Sequence, residues 1–68
     1  MKLGDLCRSR HVTAFYATFH SDDHDRHGEL YPTQLLVYLG ETYEGFSKVI
    51  VLSSGKIGWM FGSYLEVL

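Results

Sequence analysis

The clearest pattern of apolar and polar positions lies in the last third of the chain, Ser47 to Leu68, where two runs rich in branched and aromatic residues flank Ser54-Gly55. Such runs favour strands, and a Gly between them takes positive φ without steric cost, so the stretch predicts a tight β-hairpin. With Ser54 and Gly55 as the two turn residues, Leu52 faces Ile57, Val51 faces Gly58, Ile50 faces Trp59 and Val49 faces Met60. The period of two then gathers Val49, Val51 and Met60 on one face and Ile50, Leu52, Ile57 and Trp59 on the other. Neither face is polar. A hairpin of this kind must be covered on both sides, or it exposes aromatic surface to a partner.

The remaining pattern is one of short strands separated by turn residues. Leu3-Gly4-Asp5-Leu6 reads as a turn into a first strand, and His11 to Phe19 contains enough strand formers for a second. His20 to Gly28 has no apolar residue and is expected to be an exposed loop. Tyr31-Pro32 lacks a backbone donor at Pro32 and belongs before a strand. That strand is Gln34 to Leu39, stopped by Gly40; Glu41 to Phe46 connects it to the hairpin, with Gly45 available for a turn. Gly62-Ser63-Tyr64 predicts a single 3₁₀ turn before a last strand, Leu65 to Leu68. The expectation is all-β: about five short antiparallel strands in one domain, 1–68, closed or nearly closed into a small barrel, because closure removes edges a tiny sheet would expose. Val49, Val51, Met60 and Leu65 are the expected core.

Composition narrows the function classes. In 68 residues a core supplies only a few kcal/mol of net stability unless something staples it. The single cysteine, Cys7, excludes an internal disulfide framework and reads as a small buried hydrophobe. A formal charge of −2 offers no broad positive footprint for phosphates and counts against nucleic acid. No apolar run approaches the roughly 20 residues of a membrane helix, and Met1 to Leu6 lacks the apolar centre of a signal peptide. Ten Phe, Tyr and Trp residues are more than a core this small accommodates, so some of the rings are expected at the surface.

The tail Gly55-Lys56-Ile57-Gly58-Trp59-Met60-Phe61-Gly62-Ser63-Tyr64-Leu65 resembles the end of an SH3 domain. That family runs Gly, two residues, Gly, an aromatic or aliphatic residue, an apolar residue, Pro, two residues, Tyr, and a further apolar residue. Phe61 stands where the family has its groove proline, and Phe46-Ser47-Lys48 stands where its paired tryptophans open a strand. Ala14-Phe15-Tyr16-Ala17-Thr18 faintly echoes the family's Ala-Leu-Tyr-Asp-Tyr and is likewise followed by an acidic loop. The resemblance implies an SH3-like barrel in which Gly58 permits close approach of the backbone and Tyr64 lines a groove. The opening Met1 to Leu6 and the Gly-Lys-Ile-x-Trp and Leu-Glu-Val segments also resemble short proteins of tailed phages, notably those of marine cyanobacteria. That resemblance implies a viral origin, with the protein in the host cytoplasm or the virion.

Candidate chemistry is sparse. His20, Asp22, Asp23, His24, Asp25 and His27 combine imidazoles and carboxylates, a ligand set suited to Zn or Ni. Their spacing matches no rigid metal motif, so a solvated loop is expected, with no metal and no cofactor. No nucleophile and base occur at a recognisable spacing, which points away from an enzyme. The leading expectation is a non-catalytic protein-binding or structural module contacting a virion or host protein. The resemblance to SH3 domains implies Tyr16, Trp59, Phe61 and Tyr64 as its contact residues, with Asp22, Asp23 and Asp25 meeting basic groups of the partner. A second copy could also cover apolar surface. The alternative is a small barrel that stacks nucleic-acid bases on its rings.

Overall fold

A computed structural model describes residues 1–17 and 26–68. Seven strands form one antiparallel sheet curled into a half-barrel. They are β1 (Leu6–Ser9), β2 (Thr13–Tyr16), β3 (Arg26–Leu30), β4 (Leu36–Tyr43), β5 (Phe46–Val51), β6 (Ile57–Phe61) and β7 (Leu65–Val67). Their order across the sheet is β3-β2-β6-β5-β4-β1-β7. A 3₁₀ turn, Gly62–Tyr64, links β6 to β7, and no α-helix occurs among the described residues.

Alternation along each strand builds the core. Cys7, Phe15, Leu30, Leu36, Tyr38, Val49, Val51, Met60 and Leu65 turn inward and form one buried cluster contributed by all seven strands. The four residues expected in the core are all in it. The strands number seven rather than about five: the six segments placed along the sequence each contain a strand, and Arg26, His27 and Gly28, read as loop, belong to one more, β3, which pairs with β2. A polar run can still be a strand when its backbone has a partner to bond. Gly28, at φ +120°, pairs with Phe15 beside a register shift between β2 and β3. Closure is also incomplete: among the described residues, β3 and β7 remain edges with one neighbour each.

The turns correct the reading of the sequence in a consistent way. Val51 N donates to Lys56 O at 2.9 Å and Gly55 N donates to Val51 O at 2.8 Å, so the β5–β6 loop has four residues, Leu52 to Gly55, rather than two. Val49 therefore faces Gly58 and Lys48 faces Trp59, two residues away from the expected register. A shift of two leaves every side chain on its expected face, which is why the core was legible regardless. Gly40 does not stop β4. It takes φ +84° at an irregularity between Tyr38 and Thr42, and the strand continues to Tyr43.

The two-residue hairpin loop is instead Glu44-Gly45, between the paired Tyr43 and Phe46, with φ +47° and +85°. Positive φ at both central residues is the arrangement that matches the twist of the flanking strands, and it suits Asn-Gly best. Beside β4, Lys2 to Asp5 forms a turn: Asp5 N donates to Lys2 O at 3.0 Å, with Gly4 at φ +91°. Gly4 N then donates to Tyr38 O at 2.8 Å, fastening the amino-terminal turn to β4.

Glu44 is the one described residue other than glycine at positive φ. Replacing it with Asn is expected to stabilise the fold by about 0.5–1 kcal/mol, raising the melting temperature by several degrees in a chain of this size. Thermal unfolding checks this; no gain, or a loss, would mean that the turn does not hold Glu44 in the left-handed region.

Candidate functional site

The outer face of the sheet carries aromatic residues that the core does not use. Register places Tyr43 beside Phe46 and Phe46 beside Phe61 in one row across β4, β5 and β6. The next row runs Lys48, Trp59, Tyr16 across β5, β6 and β2. Phe46 stacks on Phe61 at 4.9 Å and meets Tyr16 edge-on at 6.2 Å. Phe61 in turn meets Tyr64 edge-on at 6.0 Å, and Tyr64 meets His11 at 5.5 Å. These separations are those of favourable stacked and T-shaped pairs, each adding about 0.5–1.5 kcal/mol to simple burial. The result is a continuous strip of rings.

The strip has a floor and a rim. Tyr16, Phe46 and Trp59 form a second buried cluster, with Ala14 packed against it, separate from the main core. Tyr43 is 49% exposed and Phe61 and Tyr64 38% each, so these rings form the solvent-facing rim. Lys48 Nζ lies 5.9 Å from the Trp59 ring centre and 3.5 Å from Glu41 Oε1, which covers the indole with a cation already paired. Of the residues expected at a contact, Tyr16, Trp59, Phe61 and Tyr64 share this face, but Tyr16 and Trp59 lie beneath it. Sequence reasoning left out Phe46, the ring at the centre, and His11 at the end. The alternation Phe46, Lys48, Ile50 opposite Phe61 carried the signal for Phe46.

Gly58 makes the strip possible. β2 meets β6 through Tyr16 and Trp59, and the crossing is so close that a Cβ on Gly58 would run into Tyr16 O and lie 2.8 Å from Phe15 Cε1. Without that approach Tyr16 could not reach the cluster. Gly62 plays a similar part at the 3₁₀ turn, where its N donates to Gly45 O at 2.8 Å and a Cβ would lie 2.8 Å from Ser47 Oγ.

The other candidate groups are placed differently. Asp22, Asp23 and Asp25, with His20 and His24, lie outside the described residues. His27 is exposed on β3, its ring 5.3 Å from that of Phe15. Among the described residues no three His, Cys, Asp or Glu side chains gather as a metal would require. Cys7 is fully buried, and Sγ donates to Asp5 O at 3.3 Å. Burial, and then the charge of Asp5, push its pKa above the ordinary value, so it stays a neutral thiol at pH 7. A cleft of about 190 Å³ opens beside His27, Glu29, Gln34 and Lys56 at one end of the half-barrel.

Comparison with protein-family models, curated proteins and solved structures finds no match for the chain.

Gly58→Ala tests how that floor is built. Because the obstacle is the backbone of Tyr16 rather than a flexible side chain, the substitution is expected to cost about 1–3 kcal/mol. It should also shift Trp59 emission towards that of a solvated indole. A near-neutral substitution with unchanged emission would mean that β2 does not cross β6 at this point.

Proposed function

We propose that the protein is a small non-catalytic module that holds a protein partner against the strip formed by Phe61, Tyr64 and the rings beneath them. One observation carries this reading: two accessible aromatic side chains sit on a buried aromatic floor, contiguous across three strands and the 3₁₀ turn. Rigid rings bring large contact area at low entropic cost, and interface hot spots favour well-packed surroundings of this kind. A buried floor adds preorganisation, since the accessible rings lose little freedom on binding.

The half-barrel is, on this proposal, SH3-like. A 3₁₀ turn joins the last two strands and carries Tyr64, the residue that would line a groove by the resemblance. Phe46 opens β5 at the position of a family tryptophan and stacks on Phe61, at the position of the groove proline. An all-aromatic surface in place of a Trp–Pro groove would still offer a flat apolar contact. The likeness of the chain ends to tailed-phage proteins makes a virion or host protein the partner class we propose, encountered in the host cytoplasm or on the virion. Asp22, Asp23 and Asp25 follow Tyr16 closely in sequence and would favour a partner with basic groups beside its apolar ones.

Tyr64→Ser and Phe61→Ser, made singly, test the reading. Each variant is expected to keep the far-UV spectrum and cooperative unfolding of the parent while losing about 30-fold or more in affinity for a captured partner, the equivalent of roughly 2 kcal/mol at a hot spot. Unfolding of both variants would make the rings structural, and full retention of binding would move the contact elsewhere. Titration with single-stranded and duplex DNA provides the opposing arm. Binding that weakens steeply between about 50 and 200 mM salt would replace this function with nucleic-acid recognition.

A further inference from the structure

The aromatic strip lies on the outer face of the sheet, and the inner face opens into a cleft that the strip does not reach. The cleft has a volume of about 190 Å³ and lies between β3, the turn before β4 and the β5–β6 loop. Its floor is Phe15, Leu30 and Val51, three members of the main buried cluster, so it reaches down to the apolar interior. The His27 ring stands 5.3 Å from that of Phe15 and makes one wall. Barrels commonly hold small ligands at such a mouth, where an apolar floor meets a few polar groups.

The polar groups around the mouth are chiefly donors. Lys56 lines it, and among the described residues no carboxylate pairs with its ammonium group. Gln34 Oε1 accepts from Tyr31 N at 2.8 Å, which fixes the orientation of the amide and leaves its NH₂ group to donate. Ser54 Oγ accepts from Lys56 N at 3.3 Å, leaving its hydroxyl hydrogen to donate as well. The one acid among the lining residues, Glu29, is drawn away from the mouth. It sits in register with Ala14, which packs on the outer cluster, and its carboxylate meets Arg26 at 3.7 Å. An unpaired cation and neighbouring donors over an apolar floor are what remains.

We propose that the cleft binds a small carboxylate with a flat apolar body. The body lies on Phe15, Leu30 and Val51, and the carboxylate meets Lys56 and accepts from Gln34 and Ser54. Charge selects the class: a carboxylate gains charge-assisted hydrogen bonds there, whereas a cation meets Lys56 with like charge. Size sets the limits. An apolar cavity of about 150 Å³ holds benzene, so this cleft takes one ring with a short carboxylated arm. It is smaller than the roughly 300–1,000 Å³ of most ligand sites, and the affinity is expected in the millimolar range.

Phenylacetate is the probe and phenylacetamide its neutral counterpart, each titrated to about 20 mM into the full chain at constant ionic strength while chemical shifts are followed by nuclear magnetic resonance. Phenylacetate is expected to move the Phe15, Leu30 and Val51 signals saturably and to bind about 10-fold more tightly than the amide. Lys56→Gln, at an exposed loop position, should keep the far-UV spectrum and bring the affinity for the acid down to that for the amide. Gln34→Glu keeps an acceptor for Tyr31 N but sets a carboxylate at the mouth, and it is expected to abolish binding of the acid; it gives the reading if Lys56→Gln does not fold. No saturable shift in the parent overturns the proposal, as does equal affinity for acid and amide. A preference for the acid that survives both substitutions overturns it too, and so do shifts centred on Phe61 and Tyr64, which would put the ring on the aromatic strip.

Discussion

The close passage of β2 over β6 at Gly58 is the constraint on which the rest of the structure depends. Only a residue without a Cβ lets the Tyr16 carbonyl approach there, and that approach has consequences on both faces of the sheet. Inward, it places Phe15 in the core against the strands that carry Met60 and Val49. Outward, it places Tyr16 beside Trp59 and Phe46. One small residue thus couples the core to the surface cluster, so the outer rings are held by the same backbone contact that packs the interior.

A chain of this length gains from such coupling. The inner cluster alone has few large side chains, and a core of that size leaves little net stability after chain entropy is counted. Packing a second cluster of Tyr16, Phe46 and Trp59 on the opposite face adds apolar burial without requiring a wider barrel. Its cost is a sheet with no fully polar side. The rings beyond the second cluster remain partly in water.

Much of this was legible in the alternation of residues. Val49, Val51 and Met60 announced the inner face, and the apolar character of Ile50, Ile57 and Trp59 announced that the outer face needed cover. The hairpin register was misread by two residues because loop length depends on local bonds such as Gly55 N to Val51 O, which composition does not reveal. Gly45 marks a turn between Glu41 and Phe46, but Glu is a poor residue for positive φ, so the two-residue form of that turn is not legible in the sequence. β3 was hidden in a polar run because pairing, not hydrophobicity, makes it a strand. In the candidate site, the exposure of Phe61 and Tyr64 was expected from the resemblance of the tail to the end of an SH3 domain, and each is 38% exposed. The burial of Tyr16 and Trp59, and the central place of Phe46, depend on a strand crossing between residues far apart in sequence, which no local pattern contains.

The most direct measurement is a set of proton–proton contacts by nuclear Overhauser spectroscopy on the folded chain. A sheet with separate inner and outer clusters predicts contacts from the Tyr16 ring to those of Phe46 and Trp59, and from the Phe46 ring to Phe61. It also predicts that the Trp59 indole makes no contacts with the methyl groups of Leu36 or Val51. Strong contacts between that indole and those core methyls, with none to Tyr16, would put Trp59 inside the barrel and contradict the two-sided sheet.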